Sequence, residues 1–288
     1  MSLTVYFSFQ AALCFSIAHI LIRRGLVDSN AMTGSLISLT MSAVVLWCAL
    51  PFFVPLSALA NPALLIFVAA GVFAPGIGRT LSYVGIEKIG VARSVPIANS
   101  SPIFASIFAV IFLAETWVLQ NIAGTLLVIS GVIVLSMAKP AQGKWRKFDV
   151  IYPLVGAVAF GVSAILRKAG LELVNIPLLA AAVTAGIAAL FSFALLQIQG
   201  GSKVFKLTRR SASWLFTAGV FNTAAMLSVF FALSHGKVVI VEPLVSANPV
   251  MTLLLTSIFL RDVESLTLRV LLGAALTVTG TILVVLVK

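Results

Sequence analysis

Charge is what this chain has least of. Only 9% of its 288 residues are Asp, Glu, Lys or Arg, against about 25% in a soluble domain. Acids number 8, histidines 2 and cysteines 2. That scarcity removes most enzyme chemistry. No pair of intramembrane aspartates, zinc-ligand spacing or glycine-rich nucleotide loop occurs, and His19 and His235 have no convincing catalytic serine partner. Cys14 and Cys48 fall inside apolar runs, where free cysteine behaves as a small hydrophobe. The expectation is therefore a protein without metal or cofactor that is not an enzyme. The net charge of +11 does not point to nucleic acid, because the cations flank apolar runs, as basic residues beside a bilayer do.

Apolar residues are what the chain has most of. They make up 61% of it, and the mean hydropathy is +1.17. Ten runs of about 20 apolar residues, each long enough for a spanning helix, occupy 5–22, 31–53, 63–86, 92–113, 118–137, 150–170, 176–198, 213–234, 238–260 and 267–287. In lipid every backbone polar group needs an internal partner, and long unbroken runs select helices over barrels. The expected fold class is an all-α membrane protein with ten transmembrane helices.

The chain is also written twice. Residues 91–115 and 238–262 align without a gap at an offset of 147, pairing Pro96 with Pro243, Pro102 with Pro249, and Ile111-Phe112-Leu113 with Ile258-Phe259-Leu260. Residues 11–26 align with 156–171, pairing Phe15 with Phe160 and Gly25 with Gly170. The spacing Glu115, Gly124, Gly131 recurs as Glu264, Gly273, Gly280. The plan is a first five-helix repeat over 1–140, a linker over 141–149 and a second repeat over 150–288. An odd number of helices makes the second copy enter the bilayer from the opposite side, giving two inverted five-helix repeats, an architecture of secondary transporters.

Candidate site residues follow from polar groups placed where lipid forbids them. Pro96, Pro102, Pro243 and Pro249 are expected helix breaks, freeing the carbonyls of Ala92, Ala98, Val239 and Val245. Asn99, Ser100, Ser246 and Asn248 lie beside these breaks. They either bind substrate in a central cavity or re-satisfy the freed carbonyls. Glu242 is the one acid inside an apolar run, and Arg79 reads as the deepest cation. An intramembrane arginine needs an anionic partner, here a substrate group or Glu242, and a structural ion pair is the competing reading. Pro75, Gly76 and Gly78 predict irregular backbone beside Arg79. Tyr83 and His19 are placed to touch a ligand, or else to sit as an interfacial aromatic and a satisfied core histidine. The seven-residue glycine spacing predicts close helix packing within each repeat, with a homodimer contact as the alternative and a monomer sufficient.

The segments 85–115 and 232–264, with their proline, apolar helix and Phe-Leu-x-Glu pattern followed by two glycines, resemble the paired segments of EamA-type carriers of the drug/metabolite transporter superfamily. The resemblance covers essentially the whole chain. It implies ten helices in inverted repeats and export or exchange of small metabolites. Ala114 stands where the family usually has Gly, and Arg261-Asp262 displaces the second acid to Glu264.

The expected function is a secondary transporter moving an amino-acid-like or amphipathic organic compound by alternating access. An intramembrane lipid-modifying enzyme and a non-transporting scaffold or channel are the competing classes. The expected partners are a small-molecule substrate and the lipid bilayer, in the plasma (inner) membrane. Apart from Arg79, fourteen cations, Arg23 to Arg269, fall on one side. The other side, with both termini, holds Arg167, Lys168, Lys237 and Lys288. The positive-inside rule then places the termini outside the cytoplasm. An N-terminal fusion to a reporter active only in the cytoplasm is expected to be silent; a bright fusion reverses the orientation.

Overall fold

A computed structural model describes residues 2–81, 84–85, 97–98, 100–136, 146–248, 250–251, 255 and 268–286. Ten α-helices of eight residues or more occur among them. They are α1 (Leu3–Gly25), α2 (Ala31–Phe53), α3 (Leu64–Gly71), α4 (Ser101–Leu113), α5 (Leu119–Ser136), α6 (Ile151–Leu173), α7 (Pro177–Ile198), α8 (Arg209–His235), α9 (Val238–Ser246) and α10 (Leu268–Val285). Six helical stretches are long and apolar enough to cross a membrane: Leu3–Asp28, Met32–Phe53, Leu64–Leu81, Phe148–Leu173, Pro177–Ile198 and Arg209–His235. α4, α5 and α10 carry shorter apolar stretches.

Helix ends are satisfied locally. Asn30 Oδ1 accepts from the Thr33 N–H at 2.9 Å, while its Nδ2 donates to the Val204 carbonyl at 2.6 Å. Thr208 and Ser211 form a reciprocal capping box at the start of α8. The α1–α2 turn is tied to the α7–α8 loop by Ser29 Oγ donating to the Lys206 carbonyl at 2.7 Å. This end of the bundle carries Arg24, stacked over the Trp214 ring at 5.1 Å, and is the basic end. The opposite end holds Ser2, the α4–α5 turn and the α8–α9 turn, and is the termini end.

The packing is symmetric under exchange of the two halves. α1 lies on α8 as α6 lies against α3 and its extension; α4 packs on α6 as α9 packs on α1; α2 meets α8 as α7 meets α3. α2–α7, α4–α9 and α5–α10 pair each helix with its own counterpart. Along α5 and α10 the order runs backwards. A Cβ on Gly124 would lie 2.8 Å from the Gly280 carbonyl oxygen, and one on Gly131 would lie 2.6 Å from that of Gly273. Counterpart helices are thus antiparallel, as an in-plane two-fold axis requires. The glycine faces meet between the repeats, which corrects the expectation that they pack within one. Helices related by a two-fold present identical faces to each other, so a glycine stripe on one necessarily finds the same stripe on the other.

Gly131→Ala is expected to lower thermal stability of the detergent-solubilised protein by about 1–3 kcal/mol, since the added methyl meets backbone on α10. An unchanged melting temperature would contradict the antiparallel contact.

Candidate functional site

The fourth helix of each repeat is interrupted, and at equivalent places. Ser100 and Ala247, 147 positions apart, both form turns instead of helix. The same two bonds bracket each. Ser100 N–H donates to Ile97 O at 3.1 Å and Ile103 N–H to Ser100 O at 3.0 Å. Ala247 N–H donates to Leu244 O at 3.3 Å and Val250 N–H to Ala247 O at 3.1 Å. Each is a tightened turn that precedes a proline by two positions in sequence, a residue with no N–H to continue the regular ladder.

The polar side chains predicted from the sequence lie at these turns. Ser100 Oγ donates to Ile97 O at 2.6 Å, Ser246 Oγ to Pro243 O at 2.9 Å, and Asn248 Nδ2 to Val245 O at 3.1 Å. Val245 O is the carbonyl that Pro249 leaves without its usual donor. In this conformation these groups re-satisfy the backbone. Ser16 Oγ on α1 donates to Asn248 O at 2.8 Å, so the interrupted turn faces the bundle interior.

Two proline expectations change. Pro102 occupies the first turn of α4, where its missing N–H has no partner to lose. Pro243 stays within α9, near a helix start whose first amides are already held, and the break comes at Ala247. Pro96, Pro249, Asn99 and Tyr83 lie outside the described residues.

α4 and α9 are joined end to end by an acid whose role the sequence left open. Glu115, only 8% exposed, accepts from the Val238 N–H at 2.8 Å and the Val239 N–H at 3.1 Å, capping α9 from the far end of α4. A carboxylate on two orphan amides at a helix N-terminus complements both their hydrogen-bonding need and the dipole. Lys237 Nζ adds a bond to Thr116 Oγ1 at 2.9 Å. Ala114, which terminates α4, holds φ 51°, the left-handed region, at the position where the resemblance expects glycine. Alanine there carries about 1 kcal/mol of strain.

The charged groups form two clusters in opposite halves of the bundle. Toward the basic end, Arg79 Nη1 donates to Ser35 Oγ at 3.4 Å, and its charge reaches His19, whose ring stacks on Phe15 with centroids 6.3 Å apart. Arg79 follows a π-helical stretch, Val72–Gly78, that bears out the irregular backbone expected around Pro75. Its glycines admit neighbours closely: a Cβ on Gly78 would lie 3.1 Å from the Phe160 ring.

Toward the termini end, Glu242 is acted on by Arg167, a cation that the charge count placed on the termini side; Arg79 is not its partner. Arg167 lies within α6, six residues before Leu173 or about 9 Å inside its end. Its Nε donates to Ser163 Oγ at 3.1 Å, and its guanidinium lies 5.8 Å from the centre of the Phe230 ring. Ser163 Oγ in turn donates to Ala70 O at 2.8 Å. The signal was present: the run 150–170 continues past Arg167 without a turn residue.

Two cavities stand out. One of ≈ 520 Å³ lies between α2 and α7, lined by apolar groups such as Trp47, Ile187 and Phe193, and includes none of the sequence-selected residues. A polar one of ≈ 320 Å³ opens at the termini end beside Thr116, Asn121, His235 and Lys237. Among the described residues, no cluster of three His, Cys, Asp or Glu side chains suits a metal.

A helical bundle of two antiparallel repeats, with intramembrane charge at interrupted helices, defines an integral multi-pass membrane protein of transporter type. The family model of the EamA-like transporter family matches residues 2–137 and again residues 147–286, so the chain belongs to that family. A solved structure described as the crystal structure of a protein superposes with a TM-score of 0.82 at 18% identity, covering 100% of this chain and 99% of that one. At that identity the likeness concerns the fold alone. No curated protein matches the chain.

Glu115→Ala is expected to cost about 1–3 kcal/mol in thermal stability and to speed hydrogen exchange at Val238 and Val239. Glu115→Gln, which keeps one acceptor, should fall between. Unaltered exchange at both amides in the alanine variant would rule out the cap.

Proposed function

We propose that this protein is a secondary carrier that moves a small amphipathic organic metabolite, amino-acid-like in size and polarity, across the plasma membrane as an exporter or exchanger. All ten helical segments span the bilayer, with both termini on the non-cytoplasmic side. The two repeats, 1–140 and 150–288, rock against each other around a midplane site, giving alternating access. The observation that carries this reading is the matched interruption at Ser100 and Ala247 in two antiparallel, contacting helices. Non-helical backbone at membrane depth is tolerated only where it is enclosed by protein or lines a water-filled cavity. The same device in both orientations suits a site that opens alternately to either side.

In this reading Asn99, Ser100, Ser246 and Asn248 line the passage at its centre. Arg79, with Tyr83 and His19, faces the basic end, and Glu242 faces the other. The Glu115 and Lys237 contacts tie α4 to α9 at the termini end. A monomer contains every element required.

Purified protein in liposomes preloaded with metabolite extract is expected to accumulate labelled substrate transiently, by saturable counterflow, with Arg79→Gln slowing it. Linear, non-saturating flux without counterflow would mark a channel and end the carrier proposal.

A further inference from the structure

The polar cavity of ≈ 320 Å³ at the termini end is lined by hydrogen-bond donors and by no Asp or Glu. Three pieces of chain meet there: the start of α1, the α4–α5 turn and the α8–α9 turn. Asn121, in the first turn of α5, lines the cavity while only 1% exposed. Its Nδ2 has no hydrogen-bond partner among the described residues. A buried donor left unpaired costs about 1–3 kcal/mol, and one beside a cavity can be paired from outside the chain. The groups around it have donors to spare. Lys237 Nζ uses one N–H on Thr116 Oγ1 at 2.9 Å, and because that hydroxyl accepts there, its own proton is left to donate. Ser2 and Thr4 line the cavity at the N-terminus of α1, where the first amides are orphan donors and the dipole favours negative charge. Lys237 is the lining residue with a fixed charge. Glu115, in the adjoining turn, is spent on the Val238 and Val239 amides and does not line the cavity.

We propose that this cavity binds a phosphate-type oxyanion, supplied as the headgroup of an anionic phospholipid or as soluble phosphate. Lys237 is its counter-charge, and Asn121 Nδ2, the Thr116 hydroxyl and the start of α1 are its donors. A tetrahedral oxyanion offers acceptors in several directions, which suits donors arriving from three pieces of chain. The site does not depend on the carrier reading, since it needs no transport cycle. The start of α1 and the α4–α5 turn belong to the first repeat and the α8–α9 turn to the second. A bound oxyanion therefore joins the repeats at the termini end and stabilises the arrangement described above.

The test follows the melting temperature of the full-length protein in detergent. It is titrated with inorganic phosphate against sodium chloride of matched ionic strength, and with short-chain phosphatidylglycerol against phosphatidylcholine of the same chain length. A saturable rise with phosphate identifies a soluble ion, and one confined to phosphatidylglycerol identifies a lipid headgroup; either supports the site. Lys237→Gln and Asn121→Leu should each raise the midpoint concentration by about tenfold or more. Lys237→Arg keeps the charge and should retain binding. Asn121→Leu removes an unpaired buried amide at nearly constant volume, so without ligand it should melt no lower than wild type, which separates lost binding from lost folding. No rise with either probe, an equal rise with chloride or phosphatidylcholine, or a midpoint unchanged in either Lys237→Gln or Asn121→Leu would overturn the site and leave the carrier proposal untouched.

Discussion

A buried backbone group in lipid has no water to fall back on, and this constraint organises the molecule. It makes the chain helical, because a helix pairs its own amides and carbonyls. It also explains the groups around each exception. Where α9 yields at Ala247, Asn248 supplies Val245 O with the donor that Pro249 withholds, and Ser246 donates to Pro243 O. Where α9 begins, Glu115 takes up two amides that no preceding turn could satisfy. Each of these irregularities therefore comes with a nearby polar side chain, while polar pairs between continuous helices, such as Asn222 with Ser38, satisfy each other.

The second organising fact is duplication with inversion. A two-fold axis places each helix on that axis against a copy of itself, so α5 and α10 need compatible faces. Gly124, Gly131, Gly273 and Gly280 provide these by having no side chain to clash. The interruptions obey the same symmetry down to individual hydrogen bonds. The charges do not: Arg79 belongs to the first repeat, while Arg167 and Glu242 belong to the second. A symmetric frame permits two equivalent conformations, and unequal charges make the two entrances chemically different. In the carrier proposed above, the frame serves alternating access and the charges serve selectivity.

Much of the fold was legible in advance, for simple reasons. Run length reports a spanning helix directly, and two alignable halves report a repeat. Pro75 with Gly76 and Gly78 pointed to the π-helical stretch before Arg79, because proline and glycine act on the backbone they occupy. The errors are of two kinds. Gly124 and Gly131 were recognised as a contact face, but not as facing the other repeat. Arg79 was given Glu242 as a partner, which belongs with Arg167. Pro243 was taken for a break, yet the helix runs through it. For the glycines and Arg79 the local property was read correctly and its neighbour was not, whereas at Pro243 the local property itself differs, because the helix runs through it.

That division has a physical basis. Hydropathy, periodicity, helix termination and repeat number depend on residues within one or two turns, so the sequence alone determined that this is a helical, duplicated membrane protein. Which cation faces Glu242, whether Asn248 turns to a ligand or to Val245 O, and what Glu115 caps depend on groups far apart in sequence or on competing bonds of similar strength. Only the packing of α4, α6 and α9 against one another decides those, because it sets distance, and electrostatics inside a bilayer is governed by distance.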